Sequence, residues 1–154
     1  LPGIIQDIIM LPLQPDNLIV KMYTSFDLPT DSATYEAGAT VTMLGRRNEF
    51  PALSVSEHFL TYQAGPARYM IPEGQPGDSG GPVVSSGGLL VGMNIGSHSA
   101  LPGQAMLISP EAIESVATAV NGDAKYWPRF EPDTLAQPRS ELFKGNKEGG
   151  DAKA

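Results

Sequence analysis

Eight short apolar runs, cut apart by clusters of Gly, Pro, Asn, Asp and Ser, constrain this chain more than any other feature. They cover 7–13, 17–23, 39–44, 53–62, 67–71, 82–85, 89–95 and 104–108. Runs this short, with turn residues in every gap, predict strands of an antiparallel barrel or sandwich. Ser85-Ser86-Gly87-Gly88, between two apolar runs, predicts a hairpin.

One helix is expected. Ser109 suits the N-cap, Pro110 the first helical position, and Glu111 the positive helix end. Ile113, Val116, Ala117 and Val120 recur at the spacing of one helical face, and Asn121-Gly122 supplies the stop.

Charge divides the chain. Residues 1–120 carry 4 basic and 11 acidic side chains, whereas 121–154 carry 6 of each. The second part has few aliphatics and spaced prolines, so it buries too little apolar surface to offset chain entropy and is expected to be a flexible tail. With a net charge of −7, the chain is a poor candidate for nucleic-acid binding, which needs a basic surface. No apolar run approaches the ~20 residues of a membrane span. The chain has no cysteine, so it holds no disulfide framework and no thiolate metal site, which weakly favours a reducing or non-disulfide compartment. Two distant histidines do not make a metal ligand set, and nothing in the sequence calls for a cofactor. Leu1-Pro2-Gly3 opens the chain without an initiator Met or a basic leader, as if it began in mid-protein.

The chemistry concentrates in Gly77-Asp78-Ser79-Gly80-Gly81-Pro82. A serine hydroxyl is a weak nucleophile at neutral pH. It needs a base for its proton and donors for the developing oxyanion. Gly77 permits backbone angles that let the N–H groups of Gly77 and Ser79 face one point. Gly80 and Gly81 leave room for a substrate backbone. The plain alternative is a Gly-rich turn between strands with Ser79 as a turn residue.

This hexapeptide is identical to the GDSGGP signature of trypsin-like serine peptidases. Leu90-Val91-Gly92-Met93-Asn94-Ile95-Gly96-Ser97 resembles the "LVGIVSWGS" strand of that family, Leu101–Ile108 resembles "TPGVYARV", and Asp7-Ile8-Ile9-Met10-Leu11 resembles the "DIALL" stretch. These segments occur in family order over residues 7–120. Two cysteine-poor branches are also similar: the HtrA type through Gly92-Met93-Asn94 and the closing helix, and the viral polyprotein-processing type through Gly92–Ser97, with Asn94 where the viral pattern has histidine.

The resemblance implies an all-β fold: the second six-stranded antiparallel barrel of a chymotrypsin-like double barrel, with a C-terminal helix and a disordered tail. Residues 1–15 would hold the last strand of a first barrel and the crossover, 16–122 the barrel and helix, and 123–154 the tail. It also implies Ser79 as nucleophile and Asp7 as the triad acid, 72 residues upstream, with Asp7 as an ordinary strand-edge acid the alternative. Gly77 and Ser79 would form the oxyanion hole. Asn94, Ile95 and Gly96 would form one wall of the substrate pocket and Gly103 its open opposite side. Glu73, six residues before Ser79, stands where trypsin-like enzymes place the acid that attracts Lys or Arg, although Pro72-Glu73-Gly74 also reads as an exposed turn. Asp78 calls for a cation.

The triad histidine should precede Asp7, yet His58 and His98 both follow it and read as structural or exposed. The expected function is therefore serine endopeptidase acting on polypeptides, in a chain that lacks the His-bearing barrel and is inactive alone. The alternatives are a catalytically inactive peptidase-fold binding module and a viral polyprotein-processing segment.

Overall fold

A computed structural model describes residues 25–47 and 52–121, together with isolated positions before residue 25. Six strands form one closed antiparallel barrel: β1 (Thr40–Gly45), β2 (Ser54–Ala64), β3 (Ala67–Ile71), β4 (Pro82–Ser85), β5 (Leu90–His98) and β6 (Leu101–Ile108). Their order around the barrel is β1-β2-β3-β6-β5-β4, and β4 returns to β1. The helix α1 (Pro110–Asn121) follows. The closed barrel and closing helix match the chymotrypsin-like barrel expected from the sequence. Two predicted strands are not seen: the described positions of 7–13 (8, 10, 11 and 13) have no regular structure, and Leu18 and Met22, the described positions of 17–23, are helical, because an apolar run this short does not distinguish strand from helix. Asp7 and the tail 123–154 lie wholly outside the described residues.

Alternation builds the interior. Val41 and Met43 of β1 and Leu60 of β2 point inward, and Met70, Val83, Val91, Ala105 and Leu107 complete the core with Ala33. Each large aliphatic buried this way contributes about 1.5–3 kcal/mol. Closure removes the sheet edges, which a free strand would expose to aggregation. Bulges at Leu60/Tyr62, Val83/Val84, Asn94/Gly96 and Ser97/His98 bend the strands toward closure.

Two local signals hold as expected. In the β4–β5 hairpin, Gly88 adopts φ 81° and donates to Ser85 O at 2.9 Å. At the helix start, Ser109 Oγ accepts from Ala112 N at 3.2 Å, an N-cap bond. Strand β6 begins earlier than its apolar run, at Leu101, which pairs with His98, while β5 next pairs with it at Ala105.

Arg68 crosses the closed structure. It is 2 % exposed, and its Nη1 donates to Ala33 O and Val91 O, both at 2.9 Å. Its Nη2 lies 3.5 Å from Glu111 of α1. Burial pushes the guanidinium below its ordinary range, and Glu111, then Tyr35, oppose that shift.

Candidate active site

The nucleophile hexapeptide leaves the barrel between β3 and β4. Gln75-Pro76-Gly77-Asp78 forms a turn in which Asp78 N donates to Gln75 O at 3.0 Å. Gly77 has φ 96°. Proline at the second position, positive φ at the third and the closing bond define a type II turn. Glycine is required there because an L side chain pays heavily for that φ. The type II form also sets the orientation of the peptide between Pro76 and Gly77, and so of the Gly77 N–H. Pro76-Gly77 is the sequence signal for this turn.

The following amides alternate. Gly80 N donates to Asn94 O at 2.7 Å, and Gly81 N donates to Asp78 O at 3.1 Å. Among the described residues, no acceptor faces the N–H of Gly77 or of Ser79. Ser79 itself is exposed, whereas Asp78 beside it is buried. The turn thus leaves the Ser79 side chain exposed and two amides without a protein acceptor, and buries its carboxylate. Unpaired backbone amides are the kind of donor an oxyanion requires.

The inward carboxylate has partners that the sequence did not name. Asp78 Oδ2 accepts from Gln75 N at 2.8 Å and lies 3.4 Å from Arg47 Nε. Ser54 Oγ donates to Oδ1 at 3.3 Å. Gly45 gives the carboxylate its space, since a Cβ there would collide with Asp78 Oδ1. Arg47 and Ser54 flank the β1–β2 loop, far from the motif in sequence.

Strand β5 supplies the neighbouring edge. Its pairing with β4 begins at Pro82↔Met93, and Asn94 N donates to Gly81 O at 2.9 Å. Beyond Asn94, residues 95–97 have no β4 residue opposite them, so one backbone edge is open directly beyond Ser79. Asn94 is buried. Its Nδ2 donates to Asp78 O at 3.3 Å and its Oδ1 accepts from Gly96 N at 3.1 Å. The side chain therefore braces the bulge and the turn from inside, and the Asn94 backbone is bonded to the turn through both its N–H and its carbonyl, so the open edge begins after Asn94. Ile95 sits in the bulge with no partner on β6. A Cβ added at Gly96 or Gly103 would meet no atom, so the space between these positions is open. Exposed Glu73 accepts from Ser97 Oγ at 2.8 Å across this region.

His58 lies inside the barrel, 1 % exposed. Its Nδ1 lies 2.6 Å from Pro72 O and its Nε2 lies 2.6 Å from Ser56 Oγ. A carbonyl can only accept, so Nδ1 carries a proton and donates to it. Both ring nitrogens are engaged within the barrel, which ties β2 to the segment leading to Glu73. The backbone of His98 ends β5 opposite Leu101. Among the described residues, no group of three or more acidic, histidine or cysteine side chains could hold a metal ion, and no helix is long and apolar enough to cross a membrane.

No protein-family model matches the sequence, and no curated relative does. Solved structures do. The barrel has the fold of chymotrypsin-like serine proteases. A serine-to-alanine mutant of Rv3671c from M. tuberculosis, in an inactive form, aligns with TM-score 0.54 and 14% identity, over 64% of this chain and 53% of that one. The Rv3671c protease, also in an inactive form, aligns with TM-score 0.50 and 16% identity, over 56% and 51%. A serine endoprotease from Yersinia pestis aligns more weakly, with TM-score 0.43 and 21% identity, over 58% and 32%. The chain thus spans about half the length of the Rv3671c structures it matches.

Proposed function

We propose that Ser79 is the nucleophile of a serine endopeptidase and that this chain contributes the nucleophile barrel. The observation that carries the reading is the pair of amides without a protein acceptor, Gly77 and Ser79, on either side of an amide bonded to Gln75. A substrate would add a strand along the edge of β5 that is open beyond Asn94 and bring its scissile carbonyl to Ser79. Attack of Oγ on the carbonyl carbon would place the oxyanion at the two amides. Collapse expels the amine, leaving an acyl group on Ser79 that water then removes. Glu73, held by Ser97, would attract a Lys or Arg side chain into the open space near Gly96 and Gly103.

A histidine must take the Ser79 proton. Because His58 is engaged elsewhere, that base would come from a His-bearing half, with Asp7 as its orienting acid. The test is labelling with a fluorophosphonate. The whole protein, including the His-bearing half, should label rapidly on Ser79, Ser79→Ala should not label, and the 154-residue chain alone should label poorly. Efficient labelling of the chain alone would overturn the need for a second half. No labelling of the whole protein would favour the second reading, a peptidase-fold module that binds peptides without cleaving them. The engagement of both His58 nitrogens supports that alternative.

A further inference from the structure

The Asp78 carboxylate closes the nucleophile turn on itself. Its own N–H donates to Gln75 O while its Oδ2 accepts from Gln75 N, so one residue grips both backbone groups of Gln75. A carboxylate that is 1 % exposed keeps this position only with compensating donors and charge. Those come from outside the turn. Arg47 is 31 % exposed and reaches in from the end of β1, and Ser54 reaches in from the start of β2.

From this geometry we infer that Arg47 is a positioning residue for the oxyanion donors, acting through Asp78, with Ser54 as its second support. The inference rests on the reading of Ser79 as nucleophile. With Arg47 in place, Asp78 is held inward, the Pro76–Gly77 peptide keeps its type II orientation and the Gly77 N–H stays free of a protein acceptor. Without that cation, the carboxylate gains by turning to water. The turn then loses both bonds to Gln75, and Gly77 is free to rotate its amide. Arg47 and Ser54 thereby govern the reactivity of a serine that neither touches.

The experiment compares Arg47→Gln, Arg47→Lys and Ser54→Ala in the whole protein by two readouts. One is the rate of fluorophosphonate labelling. The other is the amide resonance of Gly77 in glycine-labelled protein, followed well below the thermal midpoint. Arg47→Gln should slow the maximal labelling rate roughly 10- to 100-fold with reagent affinity unchanged, and should shift the Gly77 resonance. Arg47→Lys should restore the rate to within about threefold, because it keeps the charge. Ser54→Ala should fall between and guards against a misfolded Arg47 variant. An unmoved Gly77 resonance in folded Arg47→Gln overturns the proposal. If the wild-type protein itself fails to label, the peptidase reading falls and the resonance alone decides: shifted in Arg47→Gln and restored in Arg47→Lys supports the positioning role.

Discussion

Glu73 accepts a hydrogen bond from the Ser97 hydroxyl at 2.8 Å, joining the segment before the nucleophile turn to the free end of β5. Both side chains are exposed, so the bond adds little to stability, about 1 kcal/mol or less. Its effect is to hold a carboxylate at the end of β5 next to Gly96, where we propose the substrate side chain enters. Glu73→Gln should therefore lower kcat/KM for Lys and Arg at the cleavage site by about tenfold or more, with smaller effects on apolar residues. A peptide library varied at that position, cleaved by the whole protein, measures this. Absence of a basic preference in the wild type, or its survival in Glu73→Gln, rules out the role.

His58 gives a prediction of the opposite kind. Its removal takes a partner from Ser56 Oγ and Pro72 O at a part-buried site and opens a cavity at a side chain that is 1 % exposed. His58→Ala should cost about 2–4 kcal/mol in urea unfolding, from lost packing and unsatisfied polar groups. Below its unfolding midpoint, the variant in the whole protein should still label at Ser79. Complete loss of labelling in folded His58→Ala would make His58 the base after all.

Arg68 separates buried from exposed contributions. Arg68→Met removes the donor to two buried carbonyls, Ala33 O and Val91 O, and should cost about 2–4 kcal/mol. Glu111→Gln should cost under about 1 kcal/mol, because Glu111 is 61 % exposed and its ion pair is screened. The pH sign follows from linkage. Burial lowers the Arg68 value in the folded state, so the unfolded chain binds the proton more tightly and stability rises with pH only where the guanidinium titrates, far into the alkaline range. At neutral and acidic pH the charge is present in both states. The urea midpoints of the wild type and Arg68→Met should run parallel there, and a diverging slope would contradict the assignment.

The sequence located the strands 67–71 and 82–85 to the residue and the other four barrel strands to within a few positions, because alternation and turn chemistry are local properties, but it read 17–23 as a strand where Leu18 and Met22 are helical. The helix was equally legible from Ser109 to Asn121, where cap and periodicity agree. Strand β6 was cut short because Pro102 and Gly103 disfavour pairing; β5 pairs with neither of them and captures Leu101 ahead of them through His98.

The site divides along the same line. Gly77–Pro82 is contiguous, so its turn and its exposed serine could be read directly from the chain. The cation for Asp78 could not, since Arg47 and Ser54 lie 31 and 24 residues away and meet the carboxylate only when β1 and β2 close onto β4. Asn94 and His58 show the same limit. Each is a polar residue in a strand pattern, and only burial showed that Asn94 braces the turn from inside and that His58 is bonded within the barrel. By itself, the sequence determined the barrel strands, the helix and the Gly77–Pro82 turn, since these rest on neighbours within a few residues. Tertiary structure alone decided which charges meet, because a closed barrel brings together side chains whose separation along the chain carries no trace of their contact.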